Sequence, residues 1–114
     1  MFSQKEVIRI EKAMLDLFAN RRPAPDLRHK IDINYKIERN SVEIYSIRPQ
    51  WNDSLNIIES PIAKTTFIQK EKIWKIYWQR ADLKWHPYEP RLEVPDIQDF
   101  IEIVNEDEFG CFWG

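Results

Sequence analysis

The run from Lys30 to Glu38 constrains the fold more than any other part of the chain. Ile31, Ile33, Tyr35 and Ile37 alternate there with Lys30, Asp32, Asn34, Lys36 and Glu38. Alternation of period two puts the apolar side chains on one face of a strand and the polar ones on the other. One face therefore has to meet a core. Ser41 to Arg48 reads as the antiparallel partner of this strand. A two-residue turn at Arg39-Asn40 sets Val42 opposite Ile37, Ile44 opposite Tyr35 and Glu43 opposite Lys36.

Two more hairpins follow from the same kind of pattern. Ile62 to Lys70 and Ile73 to Arg80 are predicted to pair around Glu71-Lys72, with Phe67 against Ile76, Thr65 against Trp78 and Gln69 against Trp74. A turn at Ala81-Asp82 then sets Trp78 against Trp85, Tyr77 against His86 and Lys75 against Tyr88. These registers collect Phe67, Trp74, Ile76, Trp78, Leu83 and Trp85 on one face, an apolar surface that needs a cover. The stretch from Pro49 to Pro61 has no clean periodicity. Asn52, Asp53, Ser54, Asn56 and Ser60 make it read as a surface connection.

The cover is predicted at the two ends of the chain. From Ser3 to about Arg21, Val7, Ile10, Met14, Leu17 and Phe18 recur at helical spacing, with Ile8 and Leu15 widening the stripe. Ser3 and Glu6 have the spacing of a capping box, and Pro23 and Pro25 stop the helix. A second helix runs from Pro95 or Asp96 to about Asn105 on Ile97, Phe100, Ile101 and Val104. The last residues, with Phe109, Phe112 and Trp113, are too apolar to be left in water and are expected to dock. The fold class is α+β: a single domain over residues 1–114, with an about five-stranded, mostly antiparallel sheet and both helices packed on one face.

Composition removes several functions. With only Gly110 and Gly114 there is no glycine-rich loop to cradle a phosphate. The single Cys111 allows neither an internal disulfide nor a thiolate zinc site, and suits a reducing cytoplasm. No apolar run is long enough to span a membrane, and the first residues lack the apolar core of a signal peptide. The net charge of −2 hides an asymmetry, since residues 1–88 carry net +5 and residues 89–114 net −7. A basic surface attracts phosphates or acidic partners, and the acidic segment is expected to be able to mask it.

The face turned away from the helices is predicted to carry Lys64, Thr66, Ile68, Lys75, Tyr77, Gln79, Lys84, His86 and Tyr88. Tyr77, His86 and Tyr88 are candidates to stack on bases, and Lys64, Lys75, Lys84 and Arg80 to contact phosphates. The same residues suit a protein partner, and Tyr and Lys are also ordinary occupants of a solvated strand face. Arg48 and Trp51, in the run Arg48-Pro49-Gln50-Trp51, are a second candidate, able to stack together or clamp an anion. His86 is the natural acid–base candidate, but no nucleophile motif surrounds it. His86 and His29 read better as structural histidines, and no catalytic residue, metal ligand or cofactor is assigned.

Several of these runs carry a resemblance. Arg48-Pro-x-Trp51, Pro61-Ile-Ala63-Lys64, Trp74-x-x-Tyr77-Trp78-x-Arg80, Lys84-Trp85-His86-x-Tyr88-x-Pro90 and Gly110-x-Phe112-Trp113-Gly114 resemble a family of short bacterial proteins. That family is catalogued as a domain of unknown function, with the serial number three thousand and twenty-four. The resemblance implies a small bacterial cytoplasmic protein and supplies no activity, cofactor or catalytic residue. Arg39-Asn40 departs from it, standing where the family leads one to expect a glycine. The function expected is a non-enzymatic binding module using a basic and aromatic sheet face, with single-stranded nucleic acid as the leading ligand. A protein-interaction or homo-oligomerising module and a small enzyme using His86 are the alternatives.

Overall fold

The computed structural model describes residues 2–50 and 52–113, with Ser54 described by its backbone alone. Helix α1 spans Gln4–Arg21 and opens on the capping box: Ser3 Oγ accepts from the Glu6 amide at 3.2 Å, and the Glu6 carboxylate accepts from the Ser3 amide at 2.9 Å. These hydrogen bonds with Ser3 hold the Glu6 carboxyl below its ordinary pKa. Ile10, Ala13, Met14 and Leu17 form the buried stripe. Ile8 and Leu15, expected to widen it, instead face solvent, because the stripe that a sheet can cover is narrower than the apolar arc of this helix.

The sheet contains β1 (Asp32–Glu38), β2 (Ser41–Gln50), β3 (Asp53–Ile68), β4 (Ile73–Gln79), β5 (Trp85–Pro87) and β6 (Glu93–Val94). The order is β1-β2-β3-β4-β5, with β6 also pairing to β4, and all pairs are antiparallel. The first hairpin has the predicted register, with Tyr35 opposite Ile44 and Lys36 opposite Glu43. Arg39 takes a left-handed conformation, φ 52°, in its turn.

The second hairpin is displaced by two residues from the predicted pairing. Phe67 lies opposite Trp74 and Thr65 opposite Ile76, because the turn holds Gln69 to Lys72 rather than two residues. An even displacement leaves every side chain on its predicted face. The third hairpin is displaced by one: Trp78 pairs with His86 and Gln79 with Trp85. Its turn is a three-residue loop, Ala81-Asp82-Leu83. The Leu83 amide bonds the Arg80 carbonyl, the Arg80 amide bonds the Lys84 carbonyl, and Leu83 is left-handed at φ 63°. An odd displacement turns every side chain over, so Trp85 leaves the core face and His86 and Tyr88 leave the opposite one. Leu83, expected in the core, is 78% exposed at the tip.

The region from Pro49 to Pro61 is not a loop. β2 continues to Gln50 and β3 begins at Asp53, pairing across with Arg48 opposite Ile58. Its strand character is hidden in the sequence by polar residues on both faces. β1 reaches only as far as Ile47, and β4 only as far as Ala63. The end of this hairpin therefore projects as a two-stranded arm. A bulge between Ile44 and Tyr45 on the β2–β3 ladder leaves Ile62 as the extra residue of β3.

Helix α2 spans Ile97–Glu106, capped by Asp96, whose carboxylate accepts from the Gln98 amide. Its buried residues Ile97, Phe100, Ile101 and Val104 meet α1 and the core face of the sheet. Behind it the chain docks as expected. Asp107 accepts from the amides of Phe112 and Trp113, and Trp113 Nε1 donates to the Val104 carbonyl at 2.8 Å. The Arg21 guanidinium lies 5.0 Å above the Trp113 ring and donates to the Asn105 carbonyl, joining α1 to this end. The core is completed by Trp74, stacked against Phe2 at 5.5 Å and beside Phe67 at 4.9 Å, and by Tyr88 against Phe112 at 5.0 Å. Among the described residues, no helix is long and apolar enough to cross a membrane.

Candidate functional site

Both helices pack on one face of the sheet, so strand periodicity places the other set of side chains on an uncovered face. Three rows cross it. The first is Glu38, Ser41, Thr66, Lys75 and Glu93; the second is Lys36, Glu43, Lys64, Tyr77 and Pro87. The third contains Asn34, Tyr45 and Pro61 on one side of the bulge and Gln79 with Trp85 on the other.

Aromatic rings and ammonium groups are interleaved on this face. Lys64 Nζ lies 5.7 Å from the Trp85 ring centroid, and Lys36 Nζ lies 5.3 Å from that of Tyr45. Tyr45, Tyr77 and Trp85 are all half-buried, each with part of its ring surface open to solvent. Lys36 is not a free cation. Lys36 pairs with Glu43 at 3.2 Å and approaches Glu59 at 3.9 Å, and the Glu43 contact raises its pKa. Lys64 stands between Glu43 and Tyr77, and Lys75 beside Glu93. The face is close to neutral, which corrects the expectation of a basic surface: the acids come from β1, β2 and β6. The acidic α2 does not mask it, because α2 packs on the other side of the sheet.

The predicted site residues are thus divided. Lys64, Lys75 and Tyr77 are on the open face. Tyr88 is 2% exposed in the core, where burial raises its pKa, and is removed from the stacking set. Lys84 closes the third turn, with its amide bonded to Asp82. Arg48 is exposed on the arm, opposite Ile58. Trp51 lies outside the described residues. Trp85, Tyr45 and Lys36 were missed. The parity of the third turn conceals Trp85, and Tyr45 and Lys36 join this face only because the first hairpin pairs with β3.

Arg80 and His86 lie toward the helical side, in a shallow groove that they line with Trp78, Pro87, Glu89, Pro90 and Cys111. His86 Nε2 is 2.8 Å from Asp82 Oδ2, while Asp82 Oδ1 accepts from the Lys84 amide. The Lys84 amide and His86 hold the Asp82 carboxyl below its ordinary pKa. This imidazole fastens the turn that sets the parity of β5, a structural task. The Arg80 guanidinium lies 5.7 Å from the Trp78 ring. Cys111 shares the groove, but burial first and Asp107 second push its thiol pKa up, so the neutral thiol, a poor nucleophile, prevails near neutrality. His29 is exposed beyond the first helix. Among the described residues no group of three or more His, Cys, Asp or Glu side chains could hold a metal ion.

A family model described as "Domain of unknown function (DUF3024)" matches residues 2–114. No curated protein and no solved structure matches the chain.

Proposed function

The chain belongs to this DUF3024 family, whose description names no activity, and from the site's geometry we propose that it is a protein-interaction module whose contact surface is the open sheet face. The observation that carries this reading is the near-neutral mosaic itself. Tyr45, Tyr77 and Trp85 offer flat, partly desolvated rings, while Lys36, Lys64 and Lys75 alternate with Glu43, Glu59 and Glu93. Aromatic anchors within a polar frame of mixed sign suit a protein surface better than a polyanion.

Incorporation of a photo-crosslinking residue at Gln79, beside Trp85, tests it against the same residue at Glu11 on the solvent side of α1. The expected result in the native cell is a discrete protein adduct from position 79 and none from position 11. That adduct should disappear when Tyr77 and Trp85 are both replaced by Ala. The same background labelling from both positions overturns the proposal.

A second reading, single-stranded nucleic-acid binding, has its own support in the corner formed by Lys64, Lys75, Tyr77 and Trp85, where two cations flank two rings. With so few phosphate contacts, its affinity should fall only modestly between low and moderate salt. Titration with a fluorescent single-stranded oligonucleotide at low salt decides it, and absence of binding there ends this reading.

A further inference from the structure

We infer that the projecting end of β3 is a self-association site at which Ile57 and the residues beside it pair antiparallel with the same residues of a second copy of this chain. The inference uses the backbone edge of the sheet rather than its open face and does not depend on the open-face reading.

The starting observation is an unguarded strand edge. From Ile57 to Pro61, β3 pairs with β2 on one side and, among the described residues, with no strand on the other, because β4 ends its pairing at Ala63. The arm is also apolar where it is most exposed: Leu55 is 91% and Ile57 66% exposed. Exposed edges with such side chains are pairing sites unless they are blunted. The other edges of this sheet are blunted. The β1 edge carries Asp32, Lys36 and Glu38, and the β5–β6 edge is broken by Pro87, Pro90 and the return at Glu89–Leu92. Among the described residues the other unpaired edge of the arm, on β2 beyond Ile47, is short and carries Pro49, which has no amide hydrogen, so the contact favoured is the same β3 edge related by a two-fold axis, which closes at a dimer.

Backbone geometry limits the register. The Phe67 amide bonds the Asn40 carbonyl, so even-numbered residues of β2 direct their amide and carbonyl groups toward β3. Beyond the bulge, Ser46 and Arg48 therefore bond to Ser60 and Ile58, which leaves Ile57 and Glu59 with those groups aimed at the free edge. Leu55 lies past a second register shift, between Pro49 and Gln50, and its amide is held by Asp53 Oδ1 at 3.2 Å. A two-fold axis at Ile57 pairs Ile57 with its own copy, and that pair exchanges both hydrogen bonds without calling on Pro61, which has no amide hydrogen. The arrangement is also electrostatically permissive, since Glu59 lies across from Leu55 of the copy and no like charges are opposed. Opposed residues share a face, so the open faces of the two copies become one continuous surface.

Sedimentation equilibrium of the full chain is expected to give twice the chain mass. Ile57→Lys, which opposes two cations at the axis, and Ile57→Pro, which deletes only an edge-facing amide hydrogen, should each return the chain mass with the unfolding temperature unchanged. In a Cys111→Ser background, Ile57→Cys should form an interchain disulfide on mild oxidation, since a hydrogen-bonded antiparallel pair brings Cα atoms to roughly 5.5 Å. Asn34→Cys on the β1 edge should not. Trp85→Ala should leave the dimer intact, which separates this site from the open face. A chain that remains monomeric at high concentration overturns the inference, as does a dimer that persists in both Ile57 variants.

Discussion

On β4, Trp74 and Ile76 are buried beneath the helices, while their immediate neighbours Lys75 and Tyr77 look out from a face that, among the described residues, no helix covers. The same strands thus build two surfaces with different physics. The covered face is held by apolar burial and by a few directed bonds at its margins. The open face keeps rings and charges in a mosaic whose ion pairs, being exposed, contribute little to stability. Tyr45, Tyr77 and Trp85 stand together on the uncovered side, where the proposed contact would use them.

That contrast can be broken most severely in the core. Phe100→Ala, at a side chain with no exposed surface, should cost about 3–5 kcal/mol in chemical denaturation. Asp107→Ala removes the acceptor for the amides of both Phe112 and Trp113 and should cost about 1–3 kcal/mol, with loss of tail protection in hydrogen exchange. Leu83→Gly should act in the opposite direction. It relieves a left-handed leucine that buries little, and should stabilise the protein by about 1 kcal/mol.

On the open face the effects should be smaller still. Tyr77→Ala should change stability by no more than about 1 kcal/mol while abolishing the crosslink from position 79. A loss as large as that of Phe100→Ala would mean that the face is a second core. The smallest effect is a pH dependence. Arg22 donates two hydrogen bonds to Asp32, and that contact foremost holds the Asp32 carboxyl below its ordinary value of 3.8. A carboxyl depressed in the folded state contributes stability that is complete above 3.8 and is lost as pH falls through its folded value. The stability difference between the wild type and Asp32→Asn should therefore shrink on acidification below 3.8 and be constant above it. The pair is partly solvated, so the difference should be small.

Much of the fold was legible in particular residues. Ser3 and Glu6 marked the first helix, the alternation from Ile31 to Ile37 marked the first strand, and Ile97 to Val104 marked the second helix. The candidate site was legible only in part. Lys64, Lys75 and Tyr77 were placed on the correct face, whereas His86 and Tyr88 were put there in place of Trp85. The arm was missed because its alternation mixes polar residues on both sides, which is what a strand without a core behind it permits.

Periodicity is local, so the sequence by itself determined which residues of each strand share a face, where the helices begin, and that one face had to be covered. It also survived a wrong turn length between β3 and β4, because a two-residue displacement preserves parity. Only the tertiary structure decided the rest. The left-handed Leu83 and the Asp82–His86 contact made the third loop odd, and that single residue exchanged Trp85 for His86 across the sheet. The charge of the open face depended likewise on which strands became neighbours, because Glu43 and Glu93 stand opposite Lys64 and Lys75 only through strand pairing.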